Sequence, residues 1–570
     1  MISVEKEIVA KFPKILKSPK IIQKPFFSFA KTIVRENAIN DFLEQHNDLI
    51  GFDFVEAVLD YFDFDYTCTS KDIENIPANG RVVIIANHPL GALDALVLLK
   101  LISKVRRDVK IIANDFLGDL EPLNQIAINI NNFKSATKDS IKPIYEALQK
   151  EMAVVIFPAG EVSRVTPTGI KDNKWHKGFL KFALKTSSPI LPVFINGKNS
   201  KAFYTMSMIN KTFSTLLLSR EMFKQQSKKI EIKVGEIIPF ENIVPRNMDK
   251  ESLPSIYKKH IYGLIKGQSK RFFSTQKAIA HPEDRKILRD EIHKSQLLGA
   301  TTDDKKIYLY KFENESVILR ELGRLREFSF RKVGEGANKK RDTDKYDKYY
   351  SHIILWDEDA LEIVGAYRIC DTAEILSKYG IQGFYSSTLF DFQEGFYPYL
   401  KNSIELGRSF VQPKYWGTRA LDYLWYGIGA YLAANPHIKH MFGPVSLSST
   451  YPIYAQQLIV HFYSIYFSNN NLVKCKLPFT AHTSQNFIDE IRGLFCETDY
   501  QKDFKILRKT LNEIGFSVPM LFKQYTEITE NNGSYFGGFN IDPDFNNCID
   551  GFIVVDIDNI KEAQKQRYIK

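Results

Sequence analysis

The first half of the chain is organised around the stretch RVVIIANHPLGALDALVLLK, residues 81–100. Its β-branched run Val82–Ala86 is typical of a buried strand, and apolar residues at helical spacing follow from Ala92 to Ile102. His88 follows the strand, and Asp94 lies in the first turn of the predicted helix. A carboxylate can hold an imidazole in one tautomer and stabilise its protonated form, so the pair suits general-base chemistry. The alternative is a turn histidine and a charge at a helix N-terminus.

Length and composition bound the class of protein. A chain of 570 residues is too long for one ordinary core, so we expect two or more domains. Apolar residues make up 44% of the chain and charged residues 25%, which is typical of a globular protein, and no apolar run reaches the roughly 18 residues of a membrane span. The first residues show no export signal. Five widely spaced cysteines argue against a disulfide framework or a metal site, and they fit a reducing cytoplasm.

Basic residues are concentrated near the N-terminus. The net charge is +10, and lysines and arginines recur from Lys6 to Arg35 between aromatic and aliphatic residues. We predict that residues 1–75 form a basic, mostly helical arm that can lie on an anionic membrane surface. A solvated arm that packs its aromatics on the domain is the alternative. Nucleic acid is a rival acidic partner, but no helix-turn-helix, RNA-recognition or zinc-finger signature accompanies the charge, so we expect no nucleic-acid binding.

Strands and helices alternate from Val82 onwards, which predicts an α/β domain at residues 76–265 with a largely parallel or mixed sheet. The predicted strands are Val82–Ala86, Val109–Ala113, Ala153–Phe157, Ile190–Ile195 and Ile230–Ile237, and the predicted helices are Ala92–Ser103, Ser140–Lys150 and Lys177–Thr186. The polar, lysine-rich residues 266–305 are predicted to be a linker.

A second α/β unit is predicted at residues 306–570. Its predicted helices are Ser316–Phe330, Trp416–Ala434 and Ile453–Phe467. Its predicted strands are Tyr349–Trp356 and Glu362–Cys370, which form a hairpin, together with Ser403–Val411 and His440–Ser446.

The segment FPAGEVSR, residues 157–164, ends the third predicted strand in a tight turn. Pro158 and Gly160 force the turn at a point where backbone N–H groups can face an anion, and Glu161 and Arg164 add polar groups there. The segment WHKGFLKFALKTSSPILPVFING, residues 175–197, follows with a lysine-bearing helix and a proline-bounded strand.

The ordered series NHPLGALD, FPAGEVSR and PILPVFING resembles the glycerolipid (PlsC-like) acyltransferase superfamily, in particular its haemolysin-like branch, over about residues 75–245. The chain departs from that pattern in two places, because five residues instead of four separate His88 from Asp94 and because the glutamate of FPAGEVSR stands at 161. The resemblance implies direct acyl transfer from a thioester to a hydroxyl, with His88 removing the hydroxyl proton and Asp94 orienting His88. The substrate-binding residues that it implies are Gly160, Glu161, Arg164 and Lys177.

The second half carries charged residues on neighbouring predicted elements: Arg326, Asp344, Asp347, Arg368, Glu405 and Arg408. Glu405 and Arg408 would lie on opposite faces of an ideal strand, so they share one pocket only if a bulge intervenes. A loop with Gly417 and Arg419 then opens a helix, whose N-terminus can bind pyrophosphate or phosphopantetheine. An ion pair that supports the fold is the alternative for each charged residue.

This second pattern resembles the GNAT class of N-acyltransferases over about residues 310–465, most closely the ornithine N-acyltransferases and more distantly the acyl-homoserine lactone synthases. The resemblance implies that an acyl chain on acyl carrier protein or coenzyme A is transferred to an α-amino group, with Glu405 as the base. The implied binding residues are Arg326, Arg368 and Arg408 for phosphopantetheine or the amino-acid carboxylate, Asp344 and Asp347 for a cationic side chain, and Gly417 and Arg419 for the acyl donor. Residues 470–570 have no counterpart in this resemblance.

Two such halves in one chain resemble the bifunctional ornithine lipid synthases. The resemblance implies N-acylation of ornithine with a 3-hydroxyacyl chain by the second half, followed by O-acylation of the 3-hydroxyl by the first half. It implies no bound cofactor, a cytoplasmic enzyme peripheral to the inner membrane, and as partners acyl carrier protein, ornithine and lyso-ornithine lipid. Three alternatives are the same chemistry on another amino acid such as glycine, a glycerophospholipid acyltransferase, and a basic membrane-binding protein with decayed sites.

Overall fold

A computed structural model describes the chain except for residues 1–2, 12–18, 114–119, 131–136, 210, 246–247, 267–271, 481–490, 492, 531 and 570. The chain divides into two compact units, Met1–His281 and Pro282–Lys570, which we call unit 1 and unit 2. No described helix is both long and apolar enough to cross a membrane.

Unit 1 contains a seven-stranded mixed sheet in the order β1-β9-β8-β2-β5-β3-β4. Its strands are β1 Asp65–Thr67, β2 Val82–Ala86, β3 Val109–Ala113, β4 Ala127–Asn129, β5 Ala153–Ile156, β8 Ile190–Asn196 and β9 Lys229–Val234, and a separate hairpin joins β6 Arg164–Thr166 to β7 Gly169–Lys171. Strands β8 and β9 are antiparallel, and the other neighbours in the sheet are parallel. The mixed sheet and all five predicted strands are confirmed, with ends within three residues.

Strand β2 is central because both of its faces are covered. Val82, Ile84 and Ala86 pack into one hydrophobic cluster with helix Ala92–Ser103, while Val83 and Ile85 pack into a second cluster on the other face. Alternate residues of a strand point to opposite faces, so a strand buried on both sides must be apolar at every position. This requirement explains the unbroken run VVIIA.

The helices of unit 1 flank this sheet and form the N-terminal region. They are α1 Val4–Lys11, α2 Lys20–Val34, α3 Glu36–Gln45, α4 Gly51–Tyr61, α5 Ser70–Ile73, α6 Ala92–Ser103, α7 Lys138–Gln149, α8 Gly178–Thr186, α9 Lys201–Ile209, α10 Lys211–Lys224 and α11 Leu253–Gly263. The predicted N-terminal arm is thus mostly helical where it is described, and its residues 12–18 lie outside the described part of the chain.

Unit 2 contains an eight-stranded sheet in the order β10-β11-β12-β13-β15-β16-β19-β18. Its strands are β10 Gln296–Ala300, β11 Lys306–Lys311, β12 Ser351–Asp357, β13 Glu362–Asp371, β15 Ser403–Val411, β16 His440–Leu447, β18 Ser534–Asp542 and β19 Cys548–Asp556. A small separate sheet pairs β14 Phe390–Phe392 with β17 Val473–Cys475. Strands β15 and β16 pair in parallel over three residues each, Ser403–Glu405 with His440–Phe442.

The helices of unit 2 cover both faces of its sheet. They are α12 Arg285–Ile292, α13 Val317–Lys332, α14 Thr372–Tyr379, α15 Ala420–Ala434, α16 Ile453–Phe467, α17 Tyr500–Glu513, α18 Met520–Glu527 and α19 Glu562–Tyr568. Ile353 and Leu355 of β12 pack in one cluster with α15, whereas Ile354 and Trp356 pack in the opposite cluster with α13. Helix α12 and strand β10 lie within residues 266–305, so much of the predicted linker is folded into unit 2.

Candidate functional site

The His88–Asp94 pair forms at the end of β2 in unit 1. Nδ1 of His88 lies 3.1 Å from Oδ2 of Asp94, whose carboxyl is fully buried. The same Oδ2 accepts hydrogen bonds from the N–H groups of Leu90, at 2.7 Å, and Gly91, at 3.0 Å. Gly91 has φ +98° and ψ −130°, a conformation that suits glycine because a side chain would strain it. The chain thereby accommodates five intervening residues and still brings His88 to Asp94.

The surroundings orient the His88 ring and shift the pKa of Asp94. The ring stacks on Phe157, with centroids 4.2 Å apart. The Asn87 side chain connects the turn to β8. It donates to the carbonyl of Ile195 and accepts from the N–H of Ile195. Burial raises the pKa of the Asp94 carboxyl, and His88 together with the two N–H groups of the turn opposes that rise.

A second buried carboxylate, Asp172, joins this turn to the FPAGEVSR segment. Its Oδ1 accepts from the His88 N–H at 3.2 Å and from the Ser163 hydroxyl at 2.5 Å, and its Oδ2 accepts from Nε1 of Trp175 at 2.9 Å. The Ser163 N–H in turn donates to the His88 carbonyl at 2.7 Å. The sequence prediction missed Asp172, since its link to His88 spans 84 residues and no local pattern marks it.

The predicted substrate-binding residues of unit 1 lie in different surroundings. Gly160 has φ +65°, as the tight turn requires, and Glu161 accepts from the Asn173 amide at 3.0 Å. Arg164 is buried, donates to the Ser214 hydroxyl at 2.8 Å and lies over the Phe203 ring at 5.0 Å. Lys177 forms an ion pair with Glu251 at the surface. The turn that contains Gly160 and Glu161 is therefore connected to His88 through Ser163. Lys177 pairs with Glu251 at the surface instead.

An apolar cavity lies beside α6, the helix that carries Asp94. Ala92 and Leu96 of α6 form part of its wall. The rest of the wall is almost entirely aliphatic and aromatic, from α3, α4, α10 and neighbouring residues: Ala38, Ile39, Phe42, Leu43, Phe54, Val58, Tyr61, Phe62, Leu120, Leu123, Ser219, Met222 and Phe223. The cavity is apolar and small, with a volume of about 70 Å³.

In unit 2, most of the predicted charged residues form one buried network. Arg326 donates to Asp347 at 2.7 Å, and Arg368 donates to Asp344 at 2.6 Å and to Asp347 at 3.1 Å. Burial favours the neutral form of Asp347, but Arg326 and Arg368 outweigh it and hold its pKa well below its usual range. Both arginine side chains are at most 1% exposed. Asp344 and Asp347 are therefore already paired with cations of the protein.

A bulge in β15 allows Glu405 and Arg408 to contact the same residue, Tyr385. The pairing of β13 with β15 shifts register between Ala366 and Arg368, and Arg408 has φ +48°. Glu405 accepts from the Ser386 N–H at 2.6 Å and from the Tyr385 N–H at 3.2 Å, whereas Arg408 donates to the Tyr385 hydroxyl at 3.0 Å. The bulge that the sequence analysis required is present, and it brings both side chains to Tyr385.

Glu405 is nevertheless enclosed. Its side chain is buried, and the Tyr350 hydroxyl donates to the same Oε2 that accepts from Tyr385. Burial raises its pKa. Its oxygens thus hold the loop at Tyr385 and Ser386. Glu405 does not line the cavity of unit 2 that is described below. This placement favours the fold-supporting alternative for Glu405.

The predicted donor-binding residues stand at the start of α15. Gly417 has φ +78°, and Arg419 precedes the first helical residue, Ala420. The Arg419 guanidinium is exposed and donates to Asp422 at 3.1 Å. The loop therefore has the predicted position between β15 and a helix N-terminus.

A cavity of about 430 Å³ opens in unit 2 beyond the short paired stretch of β15 and β16. Arg408 of β15, Ser446 of β16 and Asp550 of β19 line it, together with Glu335, which follows α13. The sequence prediction missed Glu335 and Asp550. The available signal for Asp550 was a carboxylate inside the apolar strand CIDGFIVVD, residues 548–556.

Comparison with known proteins assigns both units. Residues 17–266 match a family described as Acyltransferase, and residues 325–426 match a family described as Acetyltransferase (GNAT) domain. A glycine Nα-acyltransferase of Bacteroides thetaiotaomicron is 31% identical over 306 residues, 51% of this chain and 89% of that protein. A lyso-glycine lipid O-acyltransferase of the same organism is 30% identical over 272 residues, 46% of this chain and 96% of that protein. An L-ornithine Nα-acyltransferase of Brucella abortus is 32% identical over 137 residues, 22% of this chain and 46% of that protein.

Proposed function

The chain belongs to the lipid acyltransferase families of these relatives, and we propose that it makes a two-chain amino-acid lipid in two steps. Unit 2 attaches a 3-hydroxyacyl chain to the α-amino group of an amino acid. Unit 1 then esterifies the 3-hydroxyl of that product with a second acyl chain. The order follows from the chemistry, because the hydroxyl that unit 1 acylates enters with the chain that unit 2 transfers.

The observation that carries this proposal is the His88–Asp94 geometry. Asp94 engages Nδ1 of His88, which leaves Nε2 as the nitrogen that can take a proton from a hydroxyl. The hydroxyl oxygen then attacks the thioester carbonyl carbon, so that a C–O bond forms and the C–S bond breaks. The imidazolium returns the proton to the leaving thiolate. Asp94 stabilises the imidazolium while it exists.

The charge balance of the network in unit 2 favours glycine over ornithine as the acceptor. Asp344 and Asp347 pair with Arg326 and Arg368, and Arg408 lies 3.0 Å from Asp342, so three carboxylates face three guanidinium groups. Asp344 and Asp347, which the sequence resemblance assigned to a cationic side chain, are thus already neutralised by arginines of the protein. The glycine-specific relative is also similar along 89% of its length, against 46% for the ornithine-specific one. Ornithine is the second candidate, because the sequence pattern of this region resembles the ornithine enzymes.

We further propose that an acyl thioester of acyl carrier protein or coenzyme A is the donor, and that the enzyme works at the inner surface of the cytoplasmic membrane. The basic helix α2 with its exposed Phe29, and the exposed Met208 and Ile209 of α9, support contact with anionic lipid. The positive net charge likewise suits the acidic carrier protein.

Lipid mass spectrometry on a host that lacks amino-acid lipids tests the proposal. We expect the unchanged chain to produce a two-chain lipid, and His88→Ala to accumulate the single-chain form. The matched control His46→Ala, at the histidine that follows α3 in the same unit, should still produce the two-chain lipid. The mass of the headgroup distinguishes glycine from ornithine. A changed phospholipid acyl profile without any amino-acid lipid would instead support a glycerolipid acyltransferase.

A further inference from the structure

The cavity of unit 2 lies where two parallel strands separate. Strands β15 and β16 pair only at Ser403–Glu405 and His440–Phe442, and the cavity is lined by residues further along both strands, Arg408 and Ser446 among them. Strand β19 continues beside β16 and places Asp550 opposite Ser446. A separation of strands in the middle of a sheet gives a ligand access to backbone and side chains that would otherwise be buried.

Two carboxylates and one guanidinium line this cavity. Asp550 is 2% exposed, and its Oδ1 accepts from the Ser446 hydroxyl at 2.6 Å. Burial and the nearby Asp542 raise the pKa of Asp550 to about 7. Burial and Asp550 raise the pKa of Glu335 to about 8. Arg408 lines the same cavity, and its guanidinium also pairs with Asp342 at 3.0 Å.

We propose that Asp550 and Glu335 bind the α-ammonium group of the amino-acid acceptor and that Asp550 is the base that deprotonates it. This assignment rests on the proposed N-acyl transfer by unit 2. The two carboxylates face the ammonium, and Arg408 faces the carboxylate of the same zwitterion. The site thus recognises the ammonium and carboxylate groups that all α-amino acids share. Asp550 lies outside the parts of the chain that the two sequence resemblances cover.

The proton balance of the step is complete with these groups. The α-ammonium gives one proton to Asp550, and the amine nitrogen attacks the thioester carbonyl carbon. The C–N bond forms and the C–S bond breaks. A second proton leaves the nitrogen and ends on the thiolate, which departs as the thiol, while Asp550 releases its proton to solvent. A carboxylate whose pKa is near neutrality suits this role, because the driving force for proton transfer and the fraction in the ionised form are then both appreciable.

Several other titratable or charged groups interact electrostatically with the pair. They are Arg408 on β15, Tyr385 in the loop before β14, Asp542 on β18, Cys548 on β19 itself and Tyr451 beside Glu335. Arg408 and the Ser446 hydroxyl favour the ionised form of Asp550, and Asp542 opposes it. Removal of the Ser446 hydroxyl should therefore raise the pKa of Asp550 without removing its carboxylate.

The test is the rate of N-acyl transfer to glycine by the purified full-length protein between pH 5.5 and 9. We expect Asp550→Asn to lower kcat/KM about 100- to 10,000-fold, the range typical of a lost general base. Glu335→Gln should raise KM for glycine more than it lowers kcat. The control Glu374→Gln removes a carboxylate on the exposed surface of α14, where it pairs with Lys378, and should leave the rate unchanged.

Ser446→Ala keeps the test informative if Asp550→Asn fails to fold. We expect it to move the acid limb of the kcat/KM profile to higher pH, a shift that a purely structural role for Ser446 would not produce. An unmoved limb, or an Asp550→Asn protein with the unchanged rate, overturns the assignment. If the unchanged chain acylates no amino acid while O-acylation of a supplied N-(3-hydroxyacyl) amino acid proceeds, the proposed function of unit 2 fails instead.

Discussion

Replacement of Asp172 by asparagine tests how unit 1 holds His88. The buried carboxylate accepts from the His88 N–H and the Ser163 hydroxyl through Oδ1 and from Nε1 of Trp175 through Oδ2. Asparagine has one acceptor oxygen, so its NH₂ group must face a donor. If the oxygen keeps the two bonds near His88, the NH₂ group faces Trp175.

A double-mutant cycle of Asp172 and Trp175 measures the free energy with which their hydrogen bond stabilises unit 1. A buried donor left without an acceptor costs about 1–3 kcal/mol, so we expect Asp172→Asn to lower the free energy of unfolding of unit 1 by about 2 kcal/mol. Trp175→Phe removes that donor, so the same replacement should cost less in its background. The expected coupling is about 1–2 kcal/mol, because the two residues are in direct contact.

Hydrogen exchange of the amides of Val82–Ala86 is the assay, since this fully buried strand reports the opening of unit 1 separately from unit 2. Asp249→Asn, at an exposed aspartate of the same unit, is the control and should change the free energy by less than about 0.5 kcal/mol. Additive effects of Asp172→Asn and Trp175→Phe would show that the hydrogen bond does not link the two residues energetically, and the reasoning would be refuted.

Asp94→Asn should lower the rate of O-acyl transfer to a supplied lyso-lipid by about 100- to 10,000-fold, because the amide cannot stabilise the imidazolium; an unchanged rate would remove Asp94 from the mechanism. Gly91→Ala should lower the free energy of unfolding of unit 1 by about 1–3 kcal/mol in the same exchange assay, since φ there is +98°. Arg368→Met leaves Asp344 and Asp347 with fewer partners and should cost unit 2 about 3–5 kcal/mol in urea unfolding followed by tryptophan fluorescence; a loss below 1 kcal/mol would contradict the network. The pKa of Asp550 is raised from 3.8 to about 7, so its contribution to stability is fully present below pH 3.8 and is lost as the pH rises through 7. Asp550→Asn should therefore reduce the fall in stability of unit 2 over this range, measured by urea unfolding at several pH values.

Periodicity predicted the elements better than it predicted the boundary between the units. Helices Ala92–Ser103 and Ile453–Phe467 and strand Ser403–Val411 begin and end at the predicted residues. The predicted linker contains α12 and β10 instead. Strand β10 pairs with β11, and α12 packs Leu288 and Ile292 against α13, contacts that a short polar stretch does not reveal. The prediction of one O-acyltransferase domain and one GNAT domain is confirmed by the family matches.

Among the site residues, too, those that are close in sequence could be predicted, and those that depend on long-range contacts could not. His88 and Asp94 are close in sequence, and their pairing was predicted because the ordered motifs around them resemble those of the acyltransferase superfamily. The bulge between Glu405 and Arg408 could be stated only as a condition, since it depends on the register of β13 against β15. Asp172 contacts a residue 84 positions away, and no sequence pattern identified it.

The α/β character of both domains could therefore be predicted from periodicity, and their acyltransferase class and the His88–Asp94 pair from the resemblance of their ordered motifs to known families. The structure was needed to show that Asp344 and Asp347 are paired with arginines, that Glu405 is enclosed, and that Asp550 and Glu335 line a cavity. Charge pairing and access to solvent are set by which strands and loops pack together across long separations in sequence. The spacing of residues along the chain does not contain that information.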